Sequence, residues 1–153
     1  MPNNQNPPKY VSALEEGKVK RAVQIWLNSC PYLPRAKLNY NYHGENKGLF
    51  LIPMQAPFIY RGPYILGGYE AQYQIAVDYL LPAANDDERM AADEALERVA
   101  EWAFQNVGLL NTDDGSIRFR RLKRDTYAVP LDMLQSGAEI HSINLSLFYE
   151  VNV

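Results

Sequence analysis

The residue types that most often catalyse reactions or bind metal ions are sparse in this sequence. The two histidines, His43 and His141, lie far apart, and neither has a cysteine or a carboxylate at the spacing of a metal site. A serine nucleophile would need a recognisable turn such as Gly-x-Ser-x-Gly, which is absent. The sequence therefore predicts neither a metal site nor a catalytic triad.

Glycine pairs and carboxylate pairs also have structural interpretations. Gly67 and Gly68 belong to no phosphate-binding motif, so they indicate a turn. The acidic run 86–88 stands where a helix begins and interacts favourably with its positive end, whereas Asp113 and Asp114 are typical of a turn. We therefore predict no catalytic residue, no cofactor and a protein that is not an enzyme.

Composition predicts one well-packed domain. The chain has 153 residues, 47% of them hydrophobic, and a net charge of -3, which disfavours attraction of the whole protein to nucleic acid or to an anionic membrane. No apolar run approaches the ~20 residues that span a bilayer, and the first residues show no secretory pattern, so we expect a cytoplasmic location. The single cysteine, Cys30, follows an apolar helix and is expected to be a buried thiol.

Apolar periodicity predicts a single domain over residues 11–153, after a flexible arm of residues 1–10. Helices are expected where apolar residues recur at spacings of three or four, and strands where they alternate. The predicted elements are a helix over 12–29 with a Ser12–Glu15 capping box, strands over 49–52, 58–61 and 69–81, a helix over 86–107, a basic strand from 117, and a last strand over 142–152. Residues 31–48 and 125–138 are predicted to be long excursion loops.

The predicted strands favour an α+β fold, because each has one polar face. The sheet is expected to be mixed and mostly antiparallel, with two main helices packed on one face.

Charge is segregated between the second helix and the strand that follows it. The helix carries an acidic row at i, i+4 spacing, in which each like-charge pair costs an isolated helix roughly 0.2–0.5 kcal/mol. Basic side chains could offset this row within one chain, or the basic strand of one subunit could meet the acidic helix of the next in a head-to-tail ring. Both faces could also be simply solvated. The candidate subunit interface consists of Asp93, Glu97, Glu101, Arg118, Arg120, Arg121, Lys123 and Arg124.

Two other functions fit parts of the sequence. The Tyr-rich segments 40–42 and 58–73 could line the pocket of a small ligand-binding or enzymatic α+β domain. Arg118 and Arg120, which alternate with Ile117 and Phe119, could contact phosphates in a nucleic-acid-binding module. A deep apolar pocket would favour the first alternative, and steep salt-dependent DNA binding would favour the second.

The order of landmarks along most of the chain resembles a family of tailed-phage proteins. The landmarks are a first helix ending in Asn28-Ser-Cys-Pro-Tyr-Leu, Leu38-Asn-Tyr-Asn-Tyr before a glycine turn, Leu51-Ile-Pro, Gly67-Gly-Tyr before a long strand, Trp102-Ala-Phe, and the closing Ile143-Asn-Leu-Ser-Leu-Phe-Tyr. The family comprises minor capsid or tail-completion proteins that are structurally related to the lambda-type tail terminator.

The resemblance implies a small α+β subunit, without catalytic activity, that closes into a homo-oligomeric ring, usually a hexamer. Such a ring is a virion structural component that terminates the tail tube and joins it to the head connector. The implied partners are further copies of the chain, the tail tube protein and the head-completion protein, while DNA passes through the lumen at most and no membrane is involved. The implied locations are the head-tail junction of the virion and, during virus assembly, the host cytoplasm.

Overall fold

The computed structural model describes residues 11–33, 38–40, 48–63, 67–82, 84–112, 114–135 and 137–151. The helices are α1 (Ala13–Asn28) and α2 (Asp86–Asn106), and α2 continues into a short 3-10 turn, Val107–Leu109. The strands are β1 (Leu38–Tyr40), β2 (Gly48–Pro63), β3 (Tyr69–Leu81), β4 (Ile117–Arg124), β5 (Val129–Met133) and β6 (Glu139–Val151). The predicted arm of residues 1–10 and His43 lie outside the described residues.

The described strands form one sheet in the order β1-β2-β3-β6-β4, and β5 also pairs with β6. The β1–β2 pair is parallel and the other pairs are antiparallel. Because β3 pairs with β6 from Glu139 to Val151, β4 and β5 must share the other edge of β6. The predicted α+β class, with a mixed and mostly antiparallel sheet, is confirmed.

Both helices begin at the caps that their sequences supply. The Ser12 hydroxyl accepts a 3.1 Å hydrogen bond from the backbone N–H of Glu15, and the Asn85 side chain accepts one of 2.9 Å from the N–H of Glu88. Each cap satisfies an N–H group that has no partner within the helix, which fixes where the helix starts. The observed helices therefore agree with the predicted ranges within one residue at each end.

The main core lies between the two helices and one face of the sheet. Tyr73, Ile75 and Val77 of β3 are completely buried there, as the alternation predicts. The helices contribute apolar stripes that include Val23 of α1 and Leu96 of α2. Cys30 packs into the same core, so the predicted buried thiol is confirmed.

The opposite face of the sheet is less polar than the alternation predicts. Phe50, Leu80, Ala138 and Ile140 form a second, smaller apolar cluster. Asp78 is also buried on this part of the sheet, where it accepts a 2.5 Å hydrogen bond from Ser142. A buried carboxylate needs such a donor because it has lost its contact with water.

Several predicted boundaries are wrong. The segments 49–52 and 58–61 belong to one strand, β2, whose register against β3 shifts between Pro53 and Phe58. The predicted loop 31–48 contains β1, which pairs with β2, and the predicted loop 125–138 contains the edge strand β5. The break in the alternation of the basic strand also has a structural cause, since the β4–β6 register shifts between Phe119 and Arg121. The extra residue at this bulge lets both Phe119 and Leu122 face the core.

Candidate assembly surfaces

One acid–base pair of the predicted interface forms within the chain. The Arg124 guanidinium contacts the Glu97 carboxylate, and Glu97 Oε1 also accepts a 2.7 Å hydrogen bond from the backbone N–H of Ala128. Arg124 lies opposite the core residue Leu145 in the β4–β6 register, which places it on the helix side of the sheet. Glu97 therefore fixes the end of β4 and the segment that leads to β5.

A second acidic residue of the predicted row, Asp93, contacts a buried histidine. His141 is completely buried, with Nδ1 2.8 Å from Asp93 Oδ1 and Nε2 3.2 Å from Glu139 Oε2. The Nε of Arg89 lies 2.8 and 3.0 Å from the two Glu139 oxygens. The hydrogen bond with His141 and the Arg89 charge hold the pKa of Glu139 below its usual value, and burial only partly opposes them.

This histidine cluster was not predicted, although two sequence spacings indicate it. Glu139 and His141 are two residues apart on a strand, so they share a face, and Arg89 and Asp93 are one turn apart on a helix. The cluster joins the first half of α2 to the start of β6. Among the described residues no group of three or more His, Cys, Asp or Glu side chains is arranged to hold a metal ion.

Of the other predicted basic residues, some contact acidic side chains of the same chain and some are exposed to solvent. Arg120 contacts Glu150 at 2.6 Å, and Arg121 lies 4.0 Å from Glu70 with its guanidinium 3.7 Å from the ring centroid of Phe148. Phe148 and Arg121 are register partners, so both lie on the face that is turned away from the helices. Within the described ranges, Glu101 of α2 and the exposed Arg118 and Lys123 of β4 form no ion pair.

An apolar edge, which we call the β5 strip, is the main surface that the sequence pattern did not predict. In the part of the chain that the structure describes, β5 pairs only with β6. Leu131 is 64% exposed and Met133 is 61% exposed. The members of the strip are the exposed apolar residues Tyr127, Val129, Leu131, Met133 and Leu134. The alternation of apolar residues at 129, 131 and 133 was the available signal, and Pro130 obscured it.

A second apolar surface, the α1–α2 groove, lies on the helix layer. It is a cleft of about 540 Å³ whose floor includes Trp26 and Trp102, with ring centroids 5.2 Å apart. Ile25 and Leu109 border the groove and are 72% and 77% exposed. The charged residues at the groove are Lys18, Arg21 and Asp114.

The charged side chains of the α1–α2 groove, two cations and one carboxylate, give it a net positive charge. Lys18 Nζ lies 2.6 Å from Asp114 Oδ2, and this contact, with hydrogen bonds from Ser116 and Thr112, holds the pKa of Asp114 well below its usual range. Arg21 is exposed and makes no ion pair within the described residues. The groove therefore combines an apolar floor with a net positive rim.

A buried carboxylate lies beneath the first turn of α1. Glu15 accepts a 2.6 Å hydrogen bond from the Tyr149 hydroxyl and a second from the Tyr69 hydroxyl. Burial raises the pKa of Glu15, and the hydrogen bond from Tyr149 opposes that rise. Because Tyr149 is completely buried, the pair joins helix to sheet and offers no surface for a substrate.

The Tyr-rich segments proposed to line a ligand pocket do not line the two clefts described here. The α1–α2 groove, and a second cleft beside Gly115, Arg118 and Phe119, contain no residue of the Tyr-rich segments 40–42 and 58–73 among the described lining residues. Of the first segment, residues 41 and 42 lie outside the described residues. None of the described helices is long and apolar enough to cross a membrane.

Comparisons with known proteins add little to these observations. No protein-family model matches the sequence, and a search of curated proteins gives no match. One solved structure, whose name carries no functional description, shares 18% sequence identity with this chain and superposes with a TM-score of 0.45. The match covers 92% of this chain and 94% of that one.

Proposed function

We propose that this chain is a non-enzymatic structural subunit that assembles head-to-tail into a closed ring. Following the resemblance of its landmarks to the tail-terminator family, we propose that the ring is a hexamer that terminates a phage tail tube and joins it to the head connector. The further partners in this proposal are the tail tube protein and the head-completion protein.

The observation that carries the proposal is the β5 strip. Edge strands of monomeric proteins are usually protected by charges, prolines or bulges, because an open edge can pair with another chain. β5 has Pro130, the exposed Asp132 and a register shift, yet Leu131 and Met133 are still more than half exposed. A compact group of exposed apolar side chains on a strand edge is a surface expected at a protein–protein contact.

Charged residues that have no ion-pair partner among the described residues support a head-to-tail arrangement. Glu101 belongs to the helix layer, whereas Arg118 and Lys123 belong to β4, on the edge of the sheet that also carries β5. Two different and complementary surfaces on one subunit make a heterologous contact, which repeats until the ring closes. Charge complementarity of this kind mainly sets orientation and association rate.

Native mass spectrometry and negative-stain electron microscopy test the proposal. We expect the wild-type chain to form a closed oligomer with one stoichiometry, visible as rings. The double variant Leu131→Ser/Met133→Ser should remain monomeric, whereas Leu14→Ser, which removes an apolar side chain that is 71% exposed on α1, should assemble normally. A wild-type protein that stays monomeric at high concentration and low salt, with no rings in images, would refute the proposal.

A further inference from the structure

We propose that the β5 strip of one copy of this chain binds in the α1–α2 groove of the next copy. The inference rests on the proposed ring assembly and names the two surfaces that meet in it. In this proposal the groove binds one partner, which is a second copy of the chain.

The two surfaces have matching apolar character. The α1–α2 groove exposes Ile25 and Leu109 beside a floor of two tryptophan rings, and its volume of about 540 Å³ accommodates several side chains of the size of leucine or methionine. The β5 strip offers the exposed Leu131 and Met133 on a short edge strand. Burying both groups together removes apolar area from water on each partner, which is the main favourable term in protein association.

The positions of the surfaces require two copies. β5 pairs with Glu139–Ser142 at the start of β6, whereas the groove includes Asn111 and Asp114, next to the point where β4 begins opposite Val151. Ser142 and Val151 are nine residues apart on one strand, which corresponds to roughly 30 Å. The strip therefore cannot reach the groove of its own chain, and two distant surfaces that fit each other produce a head-to-tail contact.

The remaining charges are also complementary. Asp132 lies on β5 between two residues of the strip, is exposed, and has as its described partner the N–H of Met133 at 2.8 Å. Arg21 is the groove cation that Asp114 does not neutralise, because Asp114 is occupied by Lys18 at 2.6 Å. Docking the strip in the groove brings the Asp132 carboxylate to the rim that carries the Arg21 guanidinium.

Reversal of these two charges tests the contact. Arg21→Glu and Asp132→Arg should each lower the association constant, measured by sedimentation equilibrium, by roughly tenfold or more, since each change places like charges together. In the double variant every interface again holds opposite charges, so association should return to within about threefold of wild type. Both positions are exposed, so neither change should disturb folding, and circular dichroism of each variant checks this.

Disulfide trapping identifies which surfaces touch. In a Cys30→Ala background, the double variant Ile25→Cys/Leu131→Cys should form a ladder of covalent oligomers on mild oxidation, whereas either cysteine alone should not. Covalent dimers from Leu131→Cys alone would mean that two β5 strips pair with each other, and this would overturn the inference. Assembly that persists without a ladder and without effects of charge reversal would also overturn it while leaving ring formation intact. A monomeric wild-type protein would instead count against the proposed function itself.

Discussion

The Tyr149 hydroxyl donates a 2.6 Å hydrogen bond to the Glu15 carboxylate, and so ties the last strand to the first turn of α1. Both groups are buried, and the chain between them contains nearly the whole domain. Tyr149→Phe should lower the free energy of unfolding by about 1.5–3 kcal/mol, because it removes a hydrogen bond to a charged acceptor that water cannot replace. Urea unfolding at pH 7 measures the loss. An effect below about 0.5 kcal/mol, as for an ordinary surface substitution, would contradict the importance of this contact.

The buried Glu15 carboxyl should also make stability depend on pH. Burial raises its pKa in the folded protein above the usual value of 4.5. Between these two pKa values the folded state binds more protons than the unfolded state, so the contribution of Glu15 is greatest below 4.5 and falls as the pH rises through the folded pKa. Glu15→Gln should remove this fall in the free energy of unfolding, which urea titrations from about pH 4 to pH 7 measure. The matched control is Glu16→Gln, which removes a neighbouring, less buried carboxylate and should retain the fall.

Glu139 should act with the opposite sign. Its pKa is lowered, first by the hydrogen bond with His141 and then by Arg89, so its contribution is present above the usual value of 4.5 and is lost as the pH falls through the folded pKa. Glu139→Gln should therefore destabilise the protein at pH 7 and have a smaller effect under acid conditions. The exposed Glu94→Gln on α2 is the control. Equal destabilisation by Glu139→Gln at both pH values would mean that the loss comes from packing and not from the charge.

Regular periodicity made much of the fold predictable. β3 has the predicted range of 69–81 because its alternation is uninterrupted, and α1 and α2 begin at the capping residues Ser12 and Asn85. By contrast, β5 exists only through its pairing with β6, and its five residues are all exposed. A strand without a buried face leaves little pattern in the sequence, so the β5 strip required the structure.

The separation of acidic and basic residues was predictable from the sequence, but their arrangement in the fold was not. The acidic row and the basic strand are present, yet the bulge after Phe119 sends Arg121 to one face of the sheet and Arg124 to the other. No local pattern specifies how such a bulge divides the following charges. Likewise, the spacing of Ser12 and Glu15 predicts a capping box, but the Glu15 carboxylate binds Tyr149 and Tyr69 because the fold brings these strands beneath α1.

Glu97 and Glu101 should behave differently although they are one helical turn apart. Glu97 forms an ion pair with Arg124 and accepts a hydrogen bond from the backbone N–H of Ala128. Glu97→Gln should therefore weaken the contact between α2 and the segment that leads to β5. Hydrogen exchange should become faster over residues 125–133 in this variant, and not in Glu101→Gln. Glu101→Lys should instead affect assembly, because Glu101 forms no ion pair within the described residues. Unchanged exchange in Glu97→Gln would show that the segment is held by its pairing with β6 alone.

The two tryptophans should report occupation of the α1–α2 groove. Trp26 and Trp102 are the only tryptophans of the chain, and both line the groove. If a β5 strip covers them, water is excluded from the partly exposed Trp102, and the emission maximum should shift to shorter wavelength as protein concentration rises through the assembly range. Leu131→Ser/Met133→Ser should abolish the shift, whereas Leu14→Ser should retain it, because Leu14 is an exposed residue outside the groove. Emission that stays constant while mass spectrometry detects oligomers would place the subunit contact elsewhere on the surface.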